Sequence, residues 1–252
     1  MTLKLDRASI LLSQAERARN SCDEFGLIIL NQPITDIELL KTVWGNAKIV
    51  ACADGGANRL HDCLSEAERP KFKPDFIAGD LDSLTVSTRE YYETLGVPIV
   101  HNSDQNSTDF DKCLDHMEHE LKSPVFEKLS IVAFGATGGR VDQIFHSIHQ
   151  LFKLELVAEP TKNLTLLSDD SLTFLIPPGE WEVNTPRSVL GPTCGLIPIT
   201  GESVISTDGL VWDVKDWTTS YASRISTSNA MARDSIFVKA SNTILFTMEI
   251  RR

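Results

Sequence analysis

The chain has 252 residues, enough for one large or two ordinary domains with a substantial core, which excludes a mini-protein held together by disulfides. With 35 acidic against 24 basic residues its formal charge is −11, a field that repels polyanions, so DNA and RNA are not expected as partners. Hydrophobic content of 42% beside 23% charged residues fits a globular protein, and no run approaches the roughly 18 apolar residues of a membrane span.

At the start of the chain the apolar run Ile10–Leu12, flanked by Asp6 and Glu16, is too short for a secretory signal. With Ala15 it is spaced for one amphipathic turn packed on the body of the protein. The five cysteines are odd in number and contain no CxxC pair, so neither a disulfide framework nor a zinc site is expected, and a reducing, cytoplasmic compartment is.

Up to about residue 172 short apolar runs alternate with helical periodicity, which predicts βα units and a largely parallel, Rossmann-like sheet. The expected strands are 27–30, 49–53, 75–78, 98–100, 130–134 and 164–167. Phe110, Cys113, Leu114, Met117 and Leu121 form one apolar stripe at helical period, and Val141, Ile144, Phe145, Ile148 and Leu151 form a second. Both helices are expected to cover the sheet. Beyond residue 172, Pro and Gly punctuate short alternating stretches, of which Ile244, Phe246, Met248 and Ile250 are the cleanest. The fold expected is α/β over 1–172 followed by an antiparallel β-sandwich over 173–252.

Ligands of an open parallel sheet bind beyond the carboxyl ends of its strands. Four of those ends carry carboxylates or glycines: Asp54-Gly55-Gly56-Ala57-Asn58, Gly79-Asp80-Leu81-Asp82-Ser83, the stretch from His101 to Asp111, and Gly135-Ala136-Thr137-Gly138-Gly139-Arg140-Val141-Asp142. If Asp80-Leu81-Asp82 is extended, both carboxylates share a side and Leu81 faces the core. Thr108 is placed to cap a helix with Asp111 at its third position. Two charges 4 Å apart repel by about 4 kcal/mol at an effective dielectric near 20, so converging carboxylates call for a hard cation such as Mg²⁺, completed by substrate phosphates. Three glycines before Arg140 suit a phosphate at a helix N-terminus. Taken singly, Asp80 and Asp82 also read as a solvated turn, Asp109 and Asp111 as charges on a helix dipole, and the glycines as an ordinary connection. His116/His119 and His146/His149 lack further zinc ligands and read as solvated helix flanks. Thr207 to Val214 reads as a turn entering a strand. Its Trp212, with Ser226-Thr227-Ser228-Asn229 downstream, is either a packed tryptophan and a polar loop or an aromatic platform with hydrogen-bonding groups.

Together these segments resemble the thiamine pyrophosphokinase family in its eukaryotic form. The likeness is carried by Ala51–Leu60, Pro74–Ser83, Asp104-Gln105 with Thr108–Phe110 and Lys112–Leu114, Gly138–Gln143, Gly209–Trp212 and Ser226–Asn229, in the family's order. It implies an N-terminal ATP-binding domain, a C-terminal thiamine-binding domain, and a homodimer with thiamine held between subunits. By motif, Asp80, Asp82 and Asp109 would be the magnesium carboxylates and, with Arg140, the catalytic set. Gln105, Thr108, Arg140 and Asp142 would contact ATP, with Asp54 and Asn58 nearby, while Trp212, Ser228 and Asn229 would hold thiamine. The activity implied is pyrophosphoryl transfer from ATP to the hydroxyl of thiamine, giving AMP. Asp80 or Asp82 would either ligate the metal or accept the hydroxyl proton. From the residues alone, a phosphotransferase for another small alcohol, a non-catalytic binding module and a structural interaction protein remain as alternatives.

Overall fold

The computed structural model describes residues 2–20, 22–117, 129–155 and 163–251, with the backbone of 156–158. Leu121 and His119, expected on the first amphipathic helix, lie outside the described residues. In chain order the elements are β1 (Leu3–Leu5), α1 (Gln14–Arg19), β2 (Phe25–Ile29), α2 (Ile37–Asn46), β3 (Ile49–Ala53), α3 (Gly56–Cys63), β4 (Phe76–Gly79) and α4 (Val86–Thr94). Next come β5 (Ile99–His101), α5 (Asp109–Asp115), β6 (Ser130–Phe134), α6 (Val141–Phe152) and β7 (Leu164–Leu167). Eight strands complete the described chain: β8 (Ser171–Ile176), β9 (Gly179–Asn184), β10 (Leu190–Ile197), β11 (Ser203–Asp208), β12 (Trp217–Thr219), β13 (Ser226–Ala230), β14 (Ser235–Ala240) and β15 (Ile244–Ile250).

Two compact units result, Asp23–Asp169 and the pair of segments Met1–Cys22 with Asp170–Arg252. The first 22 residues thus leave the α/β unit in which the 1–172 division would put them. The cause is β1, which adds to β9 as a parallel strand with Leu3 opposite Trp181 and Leu5 opposite Val183. Ile10, Leu11 and Leu12 are buried as expected of an amphipathic turn, whereas Ala15 is exposed on α1.

In the unit Asp23–Asp169 the strand order is β7-β6-β2-β3-β4-β5, and every pairing is parallel. β2, β3 and β4 are buried along their whole length, which is why they read as continuous apolar runs. The chain steps from β2 to β5 in one direction and returns to place β6 on the other side of β2. A crevice at the carboxyl ends of β2 and β6 follows from that reversal.

The α5 stripe is buried at Phe110, Cys113, Leu114 and Met117. The α6 stripe is not: Val141 is 65% and Phe145 57% exposed, Ile144 and Ile148 are half-buried, and only Leu151 is enclosed. The inner face of α6 is instead Ser147, Gln150 and Leu151. It meets the carboxylate of Asp111 on α5, which takes hydrogen bonds from Gln150 Nε2 at 2.9 Å and Lys153 Nζ at 2.6 Å. A buried carboxylate requires donors, and that need turns the polar side of the helix inward.

The other unit holds two sheets, β1-β9-β14-β11-β12 and the antiparallel set β13-β10-β15-β8, as expected of a sandwich except for the parallel edge strand β1. Gly191-Pro192 falls at a register shift in β10, where a missing N–H is tolerated. Among the described residues no helix is long and apolar enough to cross a membrane.

Candidate active site

Three strand-to-helix junctions bring Asp54, Asp80 and Asp109 together, each offering a carboxylate oxygen within 4.8 Å of the others. Asp54 follows β3 in a left-handed conformation at φ 43° and is 1% exposed. Its Oδ2 accepts from the Ser83 N–H at 3.0 Å, while its buried Oδ1 has no hydrogen-bond partner among the described residues. Burial, with the charges of Asp109, Asp82 and Asp80 adding to it, pushes the Asp54 carboxyl up to about 6. Gly79 makes the crowding possible, because a Cβ there would lie 2.7 Å from Asp54 Cβ and 2.9 Å from Asp109 Oδ1.

A single buried ammonium partly offsets the three acids. Lys112, whose side chain is 1% exposed, places Nζ 3.2 Å from Asp80 Oδ2 and 3.4 Å from Asp109 Oδ1. Burial by itself would raise the Asp80 carboxyl, but the Asp82 N–H and the Lys112 ammonium bring it below the ordinary range. An all-oxygen donor set with an unpartnered buried oxygen fits a hard divalent cation.

Asp80 and Asp109 open on a cavity of about 340 Å³ lined also by Leu30, Asn31 and Gln32 after β2, Thr108 and Phe110 at the start of α5, Arg140 at the N-cap of α6, and Gln143 and His146 on that helix, while Asp54 is enclosed behind them. After β6 the chain turns through Gly138 at φ 141° and Gly139 at φ 66°, delivering Arg140 to the N-cap of α6. Thr108 caps α5 in a reciprocal box with Asp111, as its spacing predicts. Asn31 and Gln32 belong to no motif of the sequence. They follow a predicted strand directly, so the rule that exposed the other junctions would have found them. Asn31 Oδ1 accepts from Arg59 Nε at 2.8 Å.

Several expected site residues are placed otherwise. Asp82 lies outside the three-carboxylate group, since Leu81 adopts φ 66° and the Asp82 N–H folds back onto Asp80 Oδ1 at 3.3 Å. The segment is therefore a turn, not extended, and Leu81 is only half-buried. Asn58 spends its carboxamide on the loop before α4, donating to Ser83 O at 2.7 Å and accepting from Thr85 N at 3.1 Å. Gln105 is exposed and does not line the cavity. Asp142 is also outside the lining, but accepts two hydrogen bonds from Arg140, through Nε and a terminal nitrogen. His146, expected on a solvated flank, has Nε2 2.9 Å from Thr108 Oγ1.

In the other unit Trp212 sits 62% exposed in a turn, not in a strand. The buried Asn229 fixes it: the Trp212 N–H donates to Asn229 Oδ1 at 3.3 Å, and Asn229 Nδ2 donates to Trp212 O at 3.0 Å. Asn229 thus grips the backbone that carries the ring. Ser228, exposed beside it on β13, adopts φ 59°.

The family model of the thiamin pyrophosphokinase catalytic domain matches residues 40–164, and that of the thiamin pyrophosphokinase vitamin B1 binding domain matches residues 180–245. Thiamine pyrophosphokinase 1 of Arabidopsis thaliana is 36% identical over 248 residues, spanning 92% of this chain and 90% of that protein. Thiamine pyrophosphokinase of Saccharomyces cerevisiae is 34% identical over 281 residues, with 92% and 87% covered. Among solved structures, yeast thiamin pyrophosphokinase superposes with a TM-score of 0.87 at 31% identity, covering 99% of this chain and 91% of that one. The Candida albicans thiamin pyrophosphokinase gives 0.85 at 26% identity, with 99% and 93% covered. The chain belongs to the thiamine pyrophosphokinase family.

Proposed function

We propose that this protein is an enzyme that transfers the pyrophosphoryl group of ATP to the hydroxyl of thiamine, giving thiamine diphosphate and AMP. The observation that carries the reading is the trio Asp54, Asp80 and Asp109, with its buried unpartnered oxygen, at the carboxyl edge of the parallel sheet, where Asp80 and Asp109 share a cavity with the residues that follow β2 and β6. These three carboxylates would hold Mg²⁺, which when bound supplies neutralisation of phosphate charge. The Gly135–Arg140 turn and the N-terminus of α6 receive the phosphate chain, and Arg140, aimed by Asp142, is the cation for charge that develops on transfer. The thiamine oxygen forms a bond to the β-phosphorus as the bond from that phosphorus to the α-phosphate oxygen breaks, and AMP leaves with the electron pair. Asp82, outside the trio, is the carboxylate available to orient the hydroxyl and take its proton.

Trp212 is the platform for the thiamine rings, with Ser228 beside it and Asn229 holding it in place. The active species is a homodimer in which thiamine is bound between subunits; the exposure of Trp212 together with Val211 and Tyr221 supports this. A cytoplasmic setting is supported by five cysteines that are all unpaired. Incubation with ATP, Mg²⁺ and thiamine, followed by separation of the nucleotides, tests the reaction. AMP with thiamine diphosphate is expected, and ADP with thiamine monophosphate would overturn it.

A further inference from the structure

His146 occupies a position that the proposed reaction does not yet use. Arg140 at the N-cap of α6 and Gln143, His146 and Ser147 on the helix all line the cavity, so the imidazole stands on the wall that rises from the helix N-terminus. One ring nitrogen is committed to the protein: Nε2 lies 2.9 Å from Thr108 Oγ1 and 3.0 Å from Gln150 Nε2. The other, Nδ1, has no hydrogen-bond partner among the described residues.

The surrounding contacts determine which nitrogen carries the proton. Gln150 Nε2 lies 2.9 Å from Asp111 Oδ1, and a carboxylate oxygen, already receiving Lys153 Nζ at 2.6 Å, tolerates only a donor there. The atom facing Asp111 is therefore the amide nitrogen, and its second N–H is the one directed at His146 Nε2. A protonated Nε2 would set two donors 3.0 Å apart. With Nε2 as acceptor the two N–H groups of Gln150 serve His146 and Asp111 separately, and the single Thr108 proton, donated to Asp111 Oδ2 at 2.7 Å, is bifurcated toward His146 Nε2. The 3.5 Å separation of His146 Nε2 from Asp111 Oδ2 is long for a charge-assisted bond. The proton then sits on Nδ1.

We propose that His146 is a nucleotide-binding residue whose Nδ1–H donates to a phosphate oxygen of ATP, with Gln150 and Asp111 holding the ring in the required tautomer. The inference rests on ATP occupying this cavity. Phosphate is the partner of choice because the same wall carries Arg140 and the positive end of α6.

Asparagine and glutamine replacements separate the two nitrogens, since an asparagine amide reaches the place of Nδ1 and a glutamine amide that of Nε2. His146→Asn is expected to keep the KM for ATP within about threefold, while His146→Gln and His146→Ala raise it about tenfold with the KM for thiamine unchanged. The reverse order, rescue by glutamine and loss with asparagine, would assign His146 to holding Thr108 and overturn the proposal. A readout independent of turnover is the ¹⁵N spectrum of the wild-type imidazoles, with the His146 signals identified by their loss in His146→Ala. A protonated Nδ1 and bare Nε2 are expected, and a protonated Nε2 overturns the proposal. Calorimetry with Mg·ATP distinguishes the levels: no binding to the wild type defeats the ATP reading and this inference together, whereas binding with the wrong tautomer defeats this inference alone.

Discussion

The ammonium of Lys112 lies 3.2 Å from Asp80 Oδ2, inside the protein, in the same carboxylate group that could hold a divalent cation. The site thus carries an internal positive charge before any metal arrives. Lys112 helps to hold the Asp80 carboxyl below its ordinary range and also contacts Asp109, while Asp54, with no such partner at its Oδ1, bears the cost of burial.

Replacing that lysine exposes the balance. Lys112→Met leaves two acids without their counter-charge, so in metal-free buffer the variant is expected to lose about 1–3 kcal/mol of stability. Added Mg²⁺ should recover more stability in the variant than it adds to the wild type. Thermal denaturation with and without Mg²⁺ measures both quantities, and equal gains would contradict the shared site.

The raised carboxyl of Asp54 has a defined pH signature. It titrates near 6 in the folded protein against about 3.9 in an unfolded chain. Between these values the folded state holds more protons than the unfolded one. The stabilising contribution is therefore complete below the unfolded value and lost as the pH rises through the folded one, by at most about 3 kcal/mol. Asp54→Asn is expected to exceed the wild type at about pH 7.5 without metal and to lose that margin by about pH 4. Urea denaturation across that range checks the crossing; parallel curves would show that Asp54 is not strained.

The turn at Leu81 divides the roles of its two neighbours. Asp80→Asn should raise the Mg²⁺ concentration needed for half-maximal rate. Asp82→Asn should lower kcat about a hundredfold at saturating Mg²⁺, without moving that midpoint and with the fold intact. Titrating Mg²⁺ at saturating ATP and thiamine distinguishes them, and a shifted midpoint in Asp82→Asn would return that residue to the metal.

Asn229 and Trp212 should fail in different ways. Trp212→Ala is expected to raise the KM for thiamine about tenfold and leave that for ATP unchanged, with little effect on Tm because the ring is exposed. Asn229→Ala removes hydrogen bonds from a buried position and should cost about 1–3 kcal/mol as well as raising the same KM. Equal changes in both KM values for Trp212→Ala would give that ring a purely structural part.

The parallel sheet is legible in the sequence because apolar runs bounded by turns are local signals. Strands 49–53, 130–134 and 164–167 were placed to the residue. α2, α3 and α4 are less legible for want of a wide stripe: α2 buries only Leu40 and Val43, and α4 only Thr88 and Tyr92. On α6 periodicity located the helix and misjudged its inner face, since the deciding partner, Asp111, lies on another element. Asp80 and Asp109 were legible from the junctions they occupy. The entry of Asp54 into their group was not, because it depends on a left-handed residue and on Gly79 allowing three chains to touch.

The order of assembly follows from those same junctions. Asp54, Asp80 and Asp109 are supplied by three separate strand ends, so no hairpin or helix of this chain contains the site in miniature. It comes into being only when β3, β4 and α5 have docked. A ligand of the finished site binds the native state alone and draws the folding equilibrium toward it, by about 1.4 kcal/mol for each tenfold excess over its dissociation constant. Any ligand of this site would therefore also protect the protein against proteolysis of its unfolded form.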